Sequence, residues 1–300
     1  IGLGIPAEPL FRSRSAIAFA KNLTLDLNGF VTTHMGDGHV FEPTSSATFT
    51  ITDTSDGAAG KVVSASKIVL SGSPCTFTLT AGMLESDSVP VWIWGNGSDS
   101  ERVVNINGGK LVCGSNSNAD SCIMVSSGTI SMSAGVIESV CCGFEGATVN
   151  VSGGNVTVGV DKVFRRSTDR TTGGTFNKDV GDYCTTGYIC VDNGNGTYSV
   201  VPGWVITFVN DDGTTVLQTL KVPTGATPAY TGETPTKTAT AQYTYTFSGW
   251  TDGMTDYATG TALPAATAAA TYTATFSETV NNYIVSVPAV DNATIESVTA

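Results

Sequence analysis

Side chains able to do acid–base, metal or nucleophilic chemistry are sparse in this 300-residue chain and fall into a few groups. His34, Asp37 and His39 put two imidazoles and a carboxylate within six residues, a metal-ligand set by type. They lie in the Gly-rich run HMGDGH rather than at a helical spacing, so a solvated turn is expected there and no metal. Those two histidines are the only ones in the chain, which leaves few general bases and no plausible Ser-His-Asp set. Asp211 and Asp212 are neighbours in a turn sequence, where turn propensity accounts for them. They do not make the two-sided carboxylate pair of a glycosidase, whose groups stand roughly 5–9 Å apart across a sugar.

Lys162, Arg165, Arg166 and Arg170, with Asp169 among them, gather four of the fourteen basic residues of a chain whose net charge is −12. Guanidinium groups suit anionic ligands, so the cluster is a candidate anionic patch. A sugar-cleaving site would also need converging acids. Glu138 and Glu145 stand alone in the sequence, and Glu85 and Asp87 belong to a different segment. The expectation is therefore a charged flank that discourages edge pairing.

The run 91–94 (VWIW) alternates two Trp with two β-branched residues. On a strand, Val91 and Ile93 share one face and Trp92 and Trp94 the other. An apolar interior accepts β-branched side chains more easily than two indoles whose N–H groups need partners. Trp92 and Trp94 are therefore expected to face outward as a platform for sugar rings, with Ser98, Asp99 and Glu101 in the following loop supplying hydrogen bonds.

These groups need a scaffold, and a recurring phrase specifies it. It reads large–polar–large–polar–small–Gly–any–large at 77–84 (FTLTAGML), 104–111 (VNINGGKL), 130–137 (ISMSAGVI) and 149–156 (VNVSGGNV), with a degenerate copy at 169–176 (DRTTGGTF). Period-two alternation means a strand with one buried face. The glycine marks a bend or a positive φ. Gly82, Gly109, Gly135, Gly154 and Gly174 are 27, 26, 19 and 20 residues apart. A fixed phrase at that spacing is the mark of a solenoid with one coil per copy. The expected fold is all-β: a right-handed parallel β-helix over 1–202, with at least two strands per coil. Leu79, Ile106, Met132 and Val151 should form one inward column. The second strands are expected at 91–94, 122–125, 140–142 and 163–164.

Composition agrees. Thr, Ser, Gly and Val dominate, and only 13% of residues are charged. The acidic balance argues against nucleic acid, whose backbone demands basic surface. No apolar run reaches the roughly 18 residues of a membrane span. The seven cysteines contain no CxxC pair, so zinc has weak support. Buried thiols are the expected reading, with a Cys184–Cys190 bridge conceivable in an oxidising compartment. No cofactor is expected. The chain starts at Ile1 with no signal-like segment, so it is read as a piece of a longer protein.

The run 173–202 should close the solenoid, because a terminal coil has no neighbour to cover it. This run, and the opening KNLTLDLNGF, resemble the β-helix regions of large bacterial surface proteins. The texture then changes. Strand signals at 204–209 (WVITFV) and 214–222 (TTVLQTLKV) flank an Asp-Gly turn. YTYTFSGW and TYTATF follow. This order resembles the internalin B-repeat (Listeria–Bacteroides repeat) family over 203–282. The resemblance implies a small β-grasp-like module without catalytic residues at 203–280, in which Gly249 and Trp250 are structural. The expected core holds Trp204 or its neighbours, Phe208, Tyr245 or Phe247, Trp250 and Phe276. A further β module is expected to begin within 281–300, from the strand signal NYIVSV.

The expected function is that of a non-enzymatic extracellular cell-surface protein of adhesin type. A β-helix head would sit on a modular stalk and bind a host or environmental glycan or protein, next to further modules of the same chain. The alternatives are a carbohydrate-active β-helix enzyme and a viral or phage fibre.

Overall fold

The computed structural model describes residues 12, 13, 15–95, 101–115, 120–146 and 148–284, the side chains of 12, 13 and 169 excepted. The described residues are all-β, with parallel sheets, no closed barrel, no α-helix and a single 3-10 turn, Gly181–Tyr183. No helix among them is long and apolar enough to cross a membrane. The chain divides into two compact units. The first runs through Val205 and adds Lys221–Ala226 and Ala266–Ala268; the second takes Ile206–Leu220, Thr227–Ala265 and the residues from Ala269 on.

The first unit is built from three parallel ladders that the chain visits in a fixed order. One ladder joins Leu23–Asp26, Thr48–Thr52, Thr76–Leu79, residues 103–106 and 129–132, Thr148–Val151 and Thr168–Thr171. The next joins Val31–His34, Lys61–Ser64, Met83–Ser86, residues 110–113 and 136–139, Asn155–Val158 and Thr175–Phe176. The last joins Ile17–Phe19, Phe41–Pro43, Val69–Ser71, Val91–Ile93, Ser121–Val125, Cys142–Glu145 and Phe164–Arg165. There are thus three strands per repeat. The glycine phrase itself supplies two of them, one on each side of its glycine. Rungs in such ladders lie about 4.8 Å apart.

The alternation in the phrase decides which residues go in. Leu79, Ile106, Met132 and Val151 pair in register, and each is at most 1% exposed. Leu84, Leu111, Ile137, Val156 and Phe176 line the second ladder and are buried in the same way. Val69, Val91, Ile123, Phe144 and Phe164 do so in the third. Each such side chain contributes about 1.5–3 kcal/mol of burial, and their sum explains why so few polar pairs are needed inside. At the bend, Gly109 has φ 69 and Gly135 has φ 94, and a Cβ at Gly135 would lie 2.8 Å from the carbonyl oxygens of both Gly108 and Gly109. Glycine is required there twice over, by backbone conformation and by the closeness of the preceding bend.

Parallel growth stops at Thr175–Phe176, which pairs antiparallel with Tyr198–Ser199, while Tyr188–Asp192 pairs antiparallel with 198–202. In the inward column Thr171, fully buried with its hydroxyl unpartnered, follows Val151, and a single parallel bridge carries the pairing on to Cys184. The side chain of Asp169, two residues earlier on the same strand, lies outside the described residues. The strand expected at 140–142 begins at Cys142 instead, because Val140 turns outward and is 49% exposed.

In the second unit, residues 206–209 pair parallel with 270–273, Tyr243–Thr251 pairs antiparallel with Ala270–Val280, and Asp256–Ala258 adds antiparallel to 249–251. Asn210 N donates to Thr215 O across the turn, and the Asp212 carboxylate accepts from the Thr214 and Thr215 amides. Phe208 is the hub of an aromatic core. Its ring centroid is 4.7 Å from that of Trp250, 5.3 Å from Tyr230 and 5.6 Å from Tyr272. Phe247 and Phe276 pack edge to face at 6.0 Å. Trp204 belongs to the first unit rather than to this core, and its neighbour Ile206 takes the place. Tyr272 and Tyr230 are core members that the sequence reading did not name. No strand is formed at 281–284; the rest of the strand expected from NYIVSV lies outside the described residues.

Candidate functional site

Trp92 and Trp94 follow Val91 and Ile93 on the third ladder, and the alternation separates them cleanly. Val91 and Ile93 are fully buried, Trp92 is half-buried and Trp94 is 47% exposed. The Trp94 indole passes 3.4 Å from the position a Cβ would take on Gly72, so one face of the ring rests on that glycine. The Lys67 ammonium stands 4.9 Å from the centroid of Trp92, a cation–π contact. Glu101 is exposed; Ser98 and Asp99 lie outside the described residues.

Register carries the outward face past Trp92. Leu70, Trp92, Met124, Glu145 and Arg165 occupy consecutive rungs. Trp92, Met124, Val125, Ser126, Glu145, Gly146 and Arg166 line a cleft of about 250 Å³. One member of each candidate group, Trp92 of the Trp pair and Arg166 of the basic cluster, therefore lines the same cleft, although the two are far apart in sequence.

The basic cluster itself splits. Glu145, expected to stand alone, is held between two guanidinium groups: Arg165 Nη1 lies 3.6 Å and Arg166 Nη1 3.4 Å from its carboxylate oxygens. Arg165 is largely covered, whereas the Arg166 side chain is 74% exposed. Arg166 also has φ 48, left-handed for a residue with a Cβ. Lys162 is exposed and shares a shallow hollow with Arg165, Cys142 and Asp161. Arg170 is exposed on a different ladder, opposite Asn150, and does not join them. Glu138, also expected to stand alone, pairs with Lys110 at 2.7 Å, and Glu85 on its own segment pairs with Lys61 at 2.9 Å.

His34, Asp37 and His39 are dispersed. His34 is 2% exposed with both ring nitrogens unpartnered, and burial, then the charge of His39, lowers its pKa below the usual 6.5. Asp37 is exposed, and His39 Nε2 lies 3.2 Å from Glu42. Among the described residues no group of three or more His, Cys, Asp or Glu side chains is arranged to hold a metal ion. The cysteines are unbridged, with Cys184 half-buried and the rest buried.

Lys67 and Met124 are cleft-side and cleft residues that the sequence does not single out, and Glu145 is one that reads there as solitary. The signal was available: aligning Val91, Ile123, Phe144 and Phe164 as one inward residue per repeat puts Trp92, Met124, Glu145 and Arg165 in a single outward row. Compared with protein-family models, with curated proteins and with solved structures, the chain finds no match.

Proposed function

We propose that this chain is part of a non-enzymatic, extracellular surface protein of adhesin type that binds glycan. In this reading the first unit is a right-handed parallel β-helix, and the second is a small β-grasp-like module of the internalin B-repeat kind. The fixed visiting order of three parallel ladders supports the former. The run ITFV–turn–strand, SGW and TYTATF around the Phe208–Trp250 contact supports the latter.

One observation carries the binding reading: two tryptophans on an outward strand face, over fully buried Val91 and Ile93, with Trp94 47% exposed. Trp92, half-buried, lines the cleft, and Trp94, exposed, stands two residues on, so the pair offers adjoining aromatic surface to a ligand. Their flat apolar faces match the C–H faces of sugar rings. The test is a glycan array probed with the full chain and with a Trp92→Ala, Trp94→Ala double variant. The double variant should lose the bound glycans while keeping its melting temperature. Unchanged binding refutes the role of the pair.

A further inference from the structure

We infer that the cleft between Trp92 and Arg166 takes a carboxylated sugar ring, the uronic-acid unit of an acidic glycan. The inference rests on the glycan-binding reading and narrows it. Trp92 and Met124, neighbours on adjacent rungs, give the cleft its apolar side-chain surface for one ring face. Its volume, about 250 Å³, falls just below the ~300–1,000 Å³ of pockets that enclose a drug-sized ligand. It therefore suits one unit of a longer glycan that continues along the face. Two rungs of about 4.8 Å each separate the backbones of Trp92 and Glu145, the residue that Arg166 meets. A single pyranose with a carboxylate on one edge bridges that distance.

Charge selects the acid. The whole chain carries −12, yet three cations stand around this cleft: Lys67 over Trp92, and Arg165 and Arg166 beside Glu145. Glu145 lines the same cleft, and its negative charge is more than offset by the two arginines that face it. Glu145 thus holds the guanidinium groups in position rather than repelling an anion. Arg166 spends one nitrogen on Glu145 at 3.4 Å and keeps the rest of its fork open, with the side chain 74% exposed. A guanidinium fork fits a carboxylate bidentately, which a lysine ammonium does not.

The experiment follows tryptophan fluorescence of the full chain during titration with trigalacturonate and with a hyaluronan tetrasaccharide. Each acid is compared with its methyl ester. At least one acid should bind about tenfold or more tighter than its ester at low salt, as a charge-assisted contact worth about 1.5–3 kcal/mol requires. That preference should shrink as salt rises. Arg166→Gln should erase the preference while retaining ester-level affinity. Trp92→Ala should weaken acid and ester alike, with both variants melting as the parent does. Equal binding of acid and ester overturns the inference and leaves glycan binding standing. No binding of any probe also overturns it, and if the glycan array is silent as well, the broader reading falls with it.

Discussion

Cys113 and Cys141 bring their sulfur atoms to 3.4 Å of each other inside the first unit, both 1% exposed, although 28 residues separate them in the chain. The contact follows from the ladder. Cys113 pairs with Ser139 on the neighbouring rung, and the chain returns inward two residues later. A hydrogen bond to Cys122, with burial adding to it, pushes the Cys113 thiol up to about 11, and the bond to Cys113 pushes Cys141 up as well. Burial pushes Cys190 to about 11.

The fold therefore favours the neutral thiol, since these folded-state values lie above the ordinary 9.0. That stabilisation is fully present below pH 9 and is lost as pH rises toward 11. The urea midpoint should drop over that interval, and Cys113→Ser should remove part of the drop. At pH 8 a thiol reagent such as DTNB should label only the half-buried Cys184 before denaturant is added. Immediate labelling of the other six in the native protein contradicts the packing.

His34 makes the opposite demand on pH. Its folded pKa lies below 6.5, chiefly through burial, so the fold favours neutral imidazole. Stability is present above pH 6.5 and falls as acid protonates the unfolded chain and then the folded one. Asp26 and His34 both line a hollow with Leu25, Phe30 and Phe41, and hydrogen bonds from Thr54 hold the Asp26 carboxyl below the ordinary 3.8. Asp53 acts lower still in the pH scale than His34. Burial raises its pKa, but the Ser55 hydroxyl and the amides of Gly60, Ser55 and Gly29 hold it below 3.8 overall. Thermal melts should show a first loss of stability below about pH 6.5 that His34→Leu removes, and a second below about pH 4 that it does not. A His34→Leu curve identical to the parent's eliminates the assignment.

Val151→Asp puts a charge into the dry column between Met132 and Thr171. It should cost about 3 kcal/mol or more in urea unfolding. Val216→Asp, at a site 58% exposed, should stay within about 0.5 kcal/mol. Comparable costs at the two sites contradict the inward assignment of Val151.

Gly135→Ala and Gly57→Ala separate two reasons for glycine. Both residues have positive φ, 94 and 80, but a Cβ meets backbone oxygens at 2.8 Å only at Gly135. Gly57 has nothing within 4 Å. Gly57→Ala should cost about 1–2 kcal/mol, the conformational part alone. Gly135→Ala should cost distinctly more, measured by the same urea titration. Equal values mean that the bends yield to the added carbon.

Much of the scaffold was legible because the phrase encodes it twice, by alternation and by glycine. Leu79, Ile106, Met132 and Val151 could be aligned by eye. The third strand of each repeat was harder to delimit, since strands as short as Phe41–Pro43 and Phe164–Arg165 carry too few residues for a period to appear. The site was half legible. Trp92 announces itself by type, and Arg165 and Arg166 by density of charge in an acidic chain. Their proximity does not, because it depends on counting rungs through connections of unequal length. Glu145 looked solitary for the same reason: its partners are one rung away and about twenty residues on. Tyr230 comes to Phe208 and Trp250 from a Pro-punctuated loop, where no periodicity points inward.

The ladders keep register although successive glycines are 27, 26, 19 and 20 residues apart. Lengthening or shortening a connection leaves every outward side chain at its address on the face. Such a surface is open to revision one row at a time. A substitution on one rung changes the outward row without disturbing the interior, and an inserted repeat moves two outward side chains apart by a fixed step. Surface and interior are thus written in alternate letters of the same strands, and either text can change while the other is kept.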